Sequence, residues 1–366
     1  MVLYLIWLSF HIIRFKDYKE FKESSTSLEI TGAYHIHSTF SDGKKSVEKI
    51  ALSAAKSSLD FCILTDHGSP NYESLNSQGW KRGVLVLAGS ELSVSRGHLV
   101  GMAFDTPQDK FSQNAESAAY EINKLNGFSV IAHPYSKTHW TWGRYAGYSG
   151  IEIINADAMV KKNYLQMIPY LPALLLEPKI PLLKMIHKPH KNLLKWDRIN
   201  KEFASYGYYS TDAHMFYTPL FSLLQIHVIL KKDLSPVFEQ AKKQVFEALR
   251  SGRFYNSIDA AAPAAGFRFW GEKGNHKISM GESFVFDESI SLFIESPVSI
   301  SCQTSLWHNG KPILTDSKHQ ISYTCLDPGV YRVEVYLHEK SPLNISCPWI
   351  LSNPIFLREE AHGQEP

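Results

Sequence analysis

The sequence predicts an α/β protein: a distorted barrel of about seven strands over residues 28–258, then a small all-β sandwich over residues 259–366. Three observations carry this reading. Strand-like and helix-like segments alternate from residue 28 onward, as parallel βα units do. Short motifs rich in His, Asp and Glu stand where the predicted strands end, the face on which (β/α) barrels assemble their sites. From Asp259 the texture changes to short alternating or β-branched runs punctuated by Gly, Pro and Asn-Gly.

The first predicted strand, LEITGAY, leads into HIHSTFSDG, residues 35–43. Alternate residues of a strand share a face, so His35 and His37 are expected to point the same way. Ser41-Asp42-Gly43 reads as a turn that returns Asp42 over the strand end. Ser46 then precedes a helix that places Val47, Ile50, Ala51 and Ala54 on one side. LDFCILT is a buried strand ending at Asp66-His67-Gly68, and Val84–Ala88 is another, ending in GSEL. HLVGMAF follows, with His98 at its start rather than its end. A helix over Ser112–Asn126 buries Ala115, Ala118, Ala119 and Ile122, and Phe128–Ala132 runs into His133-Pro134. Ile151–Ile154 is the next strand. Met159–Leu176 and Lys191–Ser205 read as helices, the first broken by Pro169 and Pro172. Tyr208–Ser210 leads into Thr211-Asp212-Ala213-His214. AAAPAAG, residues 260–266, reads as a linker to the β-rich part.

At 366 residues the chain can bury a large domain and a smaller one. A net charge of +2 is too near zero to suggest a nucleic-acid or anionic-membrane role, and there is no basic run. Cys62, Cys302, Cys325 and Cys347 show no CxxC spacing; free buried thiols are expected, with one C-terminal disulfide the alternative. Residues 1–27 form an N-terminal apolar and helical segment. Its first 13 residues are too short for a comfortable membrane span of ~20 residues, and they lack a cleavage site. They read either as a membrane tether or as a helix packed on the main domain. The chain is therefore expected to be cytoplasmic or membrane-associated.

His35, His37, Asp42, His67, Glu91, His98, His133, Asp212 and His214 are the candidate metal ligands. Imidazoles mixed with carboxylates suit Zn²⁺, Mn²⁺ or Fe²⁺, and nine donors suit about two to three ions with positions left for water. Glu91 is suited to bridging two of them. Such a centre lowers the pKa of bound water toward about 7, which makes hydrolysis the expected chemistry, with no organic cofactor. Each motif alone is as easily a structural histidine; their coincidence at four strand ends is what points to a metal centre. Glu91, Asp66 and His214 are expected to serve catalysis, with Asp66 capping a turn or orienting His67. Arg96, Lys137 and Arg144 are cations in strand-end loops that can hold a substrate anion, and His139 stands in a plausible substrate loop. His187, His190 and His227 read as surface or core histidines.

These motifs, in this order, resemble the PHP (polymerase and histidinol phosphatase) superfamily. The match covers Leu28–Ser257 through HIHSTFSDG, TDHG, GSELS with GHLVGM, IAHPY and STDAH. The resemblance implies a distorted (β/α)7 barrel with two or three metals at its mouth. It implies one metal on His35, His37, Glu91 and Asp212, a second on Glu91, His98 and His133, and a third on Asp42, His67 and His214. It also implies attack by a metal-bridging hydroxide on a phosphorus or carbonyl centre. The tail segments GVYRVEVYL and CPWILSNPIFLRE resemble the PHP metallohydrolase branch that includes carbaryl hydrolase and carries a C-terminal β-domain.

The expectation is a phosphoesterase acting on a small molecule, with no nucleic acid as a stable partner. A carbamate, amide or carboxyl-ester hydrolase with the same centre is the alternative. A non-catalytic metal-stabilised binding module is the third reading, disfavoured by the intact ligand set.

Overall fold

The structure is a computed structural model and describes residues 28–107, 109–135, 139–143, 147–170, 179–297, 301–338, 343 and 346–360. The apolar segment over residues 1–27, read above as a tether or packed helix, lies outside them. No helix among the described residues is long and apolar enough to cross a membrane.

Ten strands build the first part: β1 (Glu29–Ile36), β2 (Phe61–Leu64), β3 (Gly79–Lys81), β4 (Val84–Val94), β5 (Gly97–Met102), β6 (Phe128–Ile131), β7 (Gly150–Asn155), β8 (Tyr206–Ser210), β9 (Gln225–Ile229) and β10 (Phe254–Ser257). β1, β2 and β4 pair in parallel, as do β6, β7 and β8. Between these groups β5 runs antiparallel to both β4 and β6. The chain beyond β8 returns to β1: Thr211 N donates to Tyr34 O at 3.0 Å, and Ala213 N to His35 O at 3.1 Å. The strands are almost wholly buried on both faces, which is why they read as continuous apolar runs rather than alternating ones.

The helices α1 (Val47–Lys56), α2 (Tyr72–Asn76), α3 (Ala115–Lys124), α4 (Ala156–Asn163), α5 (Lys179–Met185), α6 (His190–Glu202), α7 (Tyr217–Leu223) and α8 (Phe238–Arg250) accompany this sheet. α1 buries Val47, Ile50, Ala51 and Ala54 as its spacing requires. α3 starts later than expected because Asn114, not Ser112, is its cap, accepting a bond from Ser117 N at 2.9 Å. α4 gives way at Tyr164–Tyr170 to a 3₁₀ helix holding Pro169, so the helix expected over 159–176 is interrupted there; its last part, with Pro172, lies outside the described residues.

The C-terminal part carries β11 (Arg268–Lys273), β12 (His276–Ser279), β13 (Ser283–Val285), β14 (Ser291–Glu295), β15 (Cys302–His308), β16 (Lys311–Asp316), β17 (Gln320–Thr324), β18 (Gly329–Leu337), β19 (Ile350–Ser352) and β20 (Ile355–Arg358). Four of them form an antiparallel sheet in the order β12-β11-β14-β17. The other six do not stand apart, as a separate sandwich would. β19 pairs antiparallel with β10, so one 16-stranded sheet runs from the N-terminal strands into the C-terminal ones. The boundary expected at residue 258 is thus bridged by backbone hydrogen bonds. The exposed edge of β10 needs a partner, and β19 supplies it. No disulfide joins the cysteines among the described residues, and Cys62, Cys325 and Cys347 are buried thiols.

Candidate metal centre

Glu91 sits on β4 with 1% of its surface exposed, and five imidazoles converge on its carboxylate. Its Oε2 lies 3.2 Å from His35 Nε2, 3.2 Å from His37 Nε2 and 3.3 Å from His67 Nδ1. Its Oε1 lies 2.8 Å from His98 Nδ1 and 3.0 Å from His133 Nε2. The antiparallel return of β5 explains His98: Ser93 pairs with His98, so the start of β5 lies beside the C-terminal end of β4.

Asp212 closes the other side, with Oδ1 3.4 Å from His35 Nε2 and 3.3 Å from His37 Nε2. Asp42 faces His214 Nε2 at 3.2 Å, His37 Nδ1 at 3.4 Å and His67 Nε2 at 3.8 Å. Its turn closes tightly, since Gly43 N donates to Ser38 O and a side chain at Gly43 would collide with the His37 carbonyl. The donor atoms fall into three groups that can each hold an ion: His37, Asp42, His67 and His214; His35, His37 and Asp212; His67, Glu91 and His98. These overlap the sets the motifs imply. His67 stands at the junction of two groups, and His133 reaches Glu91 from the side.

The ring orientations fit cation binding. His35 Nδ1 is held by Glu152 Oε1 at 2.6 Å, and His214 Nδ1 donates to Asp212 O at 2.9 Å. Each bond leaves Nε2 facing the cluster. His35 Nε2, His37 Nε2 and His67 Nδ1 are buried and have no hydrogen-bond partner among the described residues. Lone pairs and carboxylate oxygens aimed at one another repel unless positive charge lies between them. Protons are one source of it: burial opposes the charged form of His37, but Asp212 and Glu91 raise its pKa to about 9. Burial likewise opposes ionised Glu91, yet His35 and its neighbours hold it well below the carboxylate range. Divalent ions are the other source, and the donor set suits them. Three of these residues, His35 (φ 64°), His133 (φ 26°) and Asp212 (φ 48°), adopt positive φ, the strained backbone that collects at functional sites.

Several expectations need correction. Asp66 does not reach His67. Its carboxylate accepts from Ser38 N at 2.6 Å, Ser38 Oγ at 2.8 Å, Ser41 Oγ at 2.6 Å and Ser74 Oγ, so it locks the turn that carries Asp42. Arg96 is paired with Glu116 at 2.6 Å and donates to Thr141 O at 2.9 Å, which leaves its guanidinium engaged away from the main cavity. His139 is exposed and does not line that cavity. Lys137 and Arg144 lie outside the described residues.

The cavity over the centre, about 970 Å³, is walled instead by the segment after β7, including Lys161, Lys162, His187 and His190. His187 and His190, read above as surface or core histidines, line this cavity. His227 is a core one, buried between Glu29 at 2.9 Å and Asp259 at 3.1 Å. Glu152, unsuspected in the sequence, also accepts from His133 N at 2.8 Å and Asn155 Nδ2 at 2.9 Å. Its place on buried β7, opposite polar strand ends, is the signal that could have found it.

No family model and no curated protein matches the chain. Among solved structures it is similar to a two-domain protein of Bacteroides vulgatus said to contain a predicted PHP-like metal-dependent phosphoesterase. That pair shares 13% identity over 92% of this chain and 97% of the other, with a TM-score of 0.48. An amidohydrolase of Chromobacterium violaceum, with bound sulfate and no metal, shares 19% identity over 50% of this chain and 87% of its own, with a TM-score of 0.33. A candidate metal-dependent phosphoesterase of Bifidobacterium adolescentis shares 12% identity over 34% and 77%, with a TM-score of 0.28.

Proposed function

We propose that the protein is a metal-dependent hydrolase of the PHP superfamily and that it cleaves phosphoesters. The observation that carries this reading is the convergence of five imidazoles on the buried carboxylate of Glu91. The nine expected donors would hold about two to three divalent ions, with Glu91 as the shared carboxylate. Such ions supply a water of lowered pKa and neutralise charge on a phosphoryl oxygen. The chain's own residues do the rest. Glu152 keeps His35 in the tautomer whose Nε2 faces the cluster, and Asp66 holds the turn beneath Asp42. The segment after β7 walls the cavity beside the cluster. The fold reading that goes with this function is a (β/α)7 barrel whose ends meet through Thr211 and Ala213.

A carbamate or carboxyl-ester hydrolase remains the second reading, because the tail segments resemble that branch and the same centre polarises a carbonyl. The test is elemental analysis of the purified chain together with turnover of p-nitrophenyl phosphate and p-nitrophenyl acetate. Bound transition metal with phosphatase turnover is expected. Ester turnover alone would transfer the assignment to the second reading, and a chain that takes up neither Zn²⁺ nor Mn²⁺ would refute both.

A further inference from the structure

The cavity that holds the candidate metal donors is also lined by lysines. α4 contributes Lys161 and Lys162, and the start of α6 contributes His190 and Lys191. Lys161 is half neutralised by Asp157 at 2.5 Å. Lys162 and Lys191 are exposed and have no ion pair among the described residues. Lys188 also lines the cavity, but its ammonium is committed to the β-rich part. It lies 3.0 Å from Tyr336 Oη and 3.5 Å from Glu334, above the rings of Trp307 and Tyr336.

Two features argue that these lysines are more than solvated surface charge. The first turn of α6 holds His190 and Lys191 and no acidic residue, an arrangement that opposes the helix dipole and so costs helix stability. The wall is also pinned. Asn192 Nδ2 donates to Ile153 O at 2.7 Å, Asn163 Nδ2 donates to Met185 O at 3.1 Å, and Arg332 grips Asp197 of α6 through two bonds of 2.7 and 2.9 Å. Positive charge on hydrogen-bonded helices that line the same cavity as the candidate metal donors suits a pre-organised anion site.

We propose that Lys162 and Lys191 form a second anion subsite, so that the substrate carries an acidic group remote from the bond that is cleaved. The cavity volume of about 970 Å³ accommodates an organic molecule that spans both ends. The inference rests on the hydrolase reading only for the group bound at the metal end. The β-rich part, through Glu334, Tyr336 and Arg332, then acts as the support that holds the cationic wall over the centre.

The test is calorimetric binding of two non-hydrolysable probes to the full, metal-loaded chain: pentylphosphonate, and 6-phosphonohexanoate, which adds a terminal carboxylate. The carboxylate probe is expected to bind about fivefold tighter, with the gain shrinking as salt is added. In the Lys162→Gln/Lys191→Gln variant the two probes should bind alike, while pentylphosphonate keeps its wild-type affinity. Equal affinities in the wild type, failure of both probes to bind, or a preference that survives in the variant would each overturn the subsite. Turnover of p-nitrophenyl phosphate separates the two ideas. Turnover with no probe preference removes the subsite alone, whereas a preference without turnover keeps the subsite and removes the phosphoester reading.

Discussion

His35 Nδ1 lies 2.6 Å from Glu152 Oε1, and both side chains are wholly buried. This contact determines which imidazole nitrogen faces Glu91 and Asp212. The other oxygen of Glu152 accepts from His133 N, and Asn155 links Glu152 to Asp212 Oδ2 at 3.1 Å. One carboxylate outside the ligand set therefore orients three ligands. Glu152→Gln should lower metal affinity about 10–100-fold, as loss of a partner behind a ligating imidazole does. Competition with a chromogenic chelator measures it, and wild-type affinity in the variant would show that His35 is oriented by something else.

Glu91→Ala should release metal and abolish hydrolysis, because both oxygens that gather the five imidazoles disappear together. Elemental analysis reads the metal, and circular dichroism should show secondary structure retained. Full metal content in the variant would rule out Glu91 as the shared ligand. His190→Ala, on the cavity wall, should leave the metal content unchanged.

Asp66→Ala removes four hydrogen bonds at once and strands the Ser38 amide in the interior. A loss of roughly 2–4 kcal/mol in urea unfolding is expected. Since those bonds hold the turn of Asp42, metal held by Asp42, His67 and His214 should be lost before metal held by Glu91. An unfolding midpoint equal to wild type would contradict the role assigned to Asp66.

His227 and Glu29 give the protein a pH signature away from the metal centre. Burial opposes charge on His227, but Asp259 and Glu29 raise its pKa to about 9. Burial opposes charge on Glu29, but His227 and Arg268 lower its pKa to about 2. A raised histidine stabilises fully below its unfolded value near 6.5, and that contribution is lost as pH rises to about 9. A lowered carboxylate stabilises above its unfolded value near 4.5, and that contribution is lost as pH falls toward 2. The stability of the metal-loaded protein against unfolding should therefore fall by roughly 2–3 kcal/mol from pH 6.5 to 9. His227→Gln should flatten that slope. An unchanged slope in the variant would place the alkaline sensitivity elsewhere.

Strand-end motifs made the ligands legible, because a metal site needs particular residue types at the ends of elements whose periodicity is local. His98 was the least expected of them; its antiparallel pairing with β4 explains why a residue at the start of a strand joins the site. The alternation rule placed His35 and His37 on one face, and both do face Glu91. The backbone reaches that result differently, through a register shift between Tyr34 and Ile36, with His35 at positive φ.

Residue types and their local spacing by themselves determined the alternating α/β pattern, the change to β-rich texture and the nine donors. The tertiary structure alone decided which groups meet across long stretches of chain. Glu152 meets His35 across 117 residues, and Arg332 meets Asp197 across 135. β19 joins β10 across the expected domain boundary, Asp66 binds the serines of the turn that carries Asp42, and Arg96 pairs with Glu116. The reason is physical. Periodicity and capping are set within a few turns of chain, whereas the partner of a buried charge or an open sheet edge is chosen by packing among distant segments.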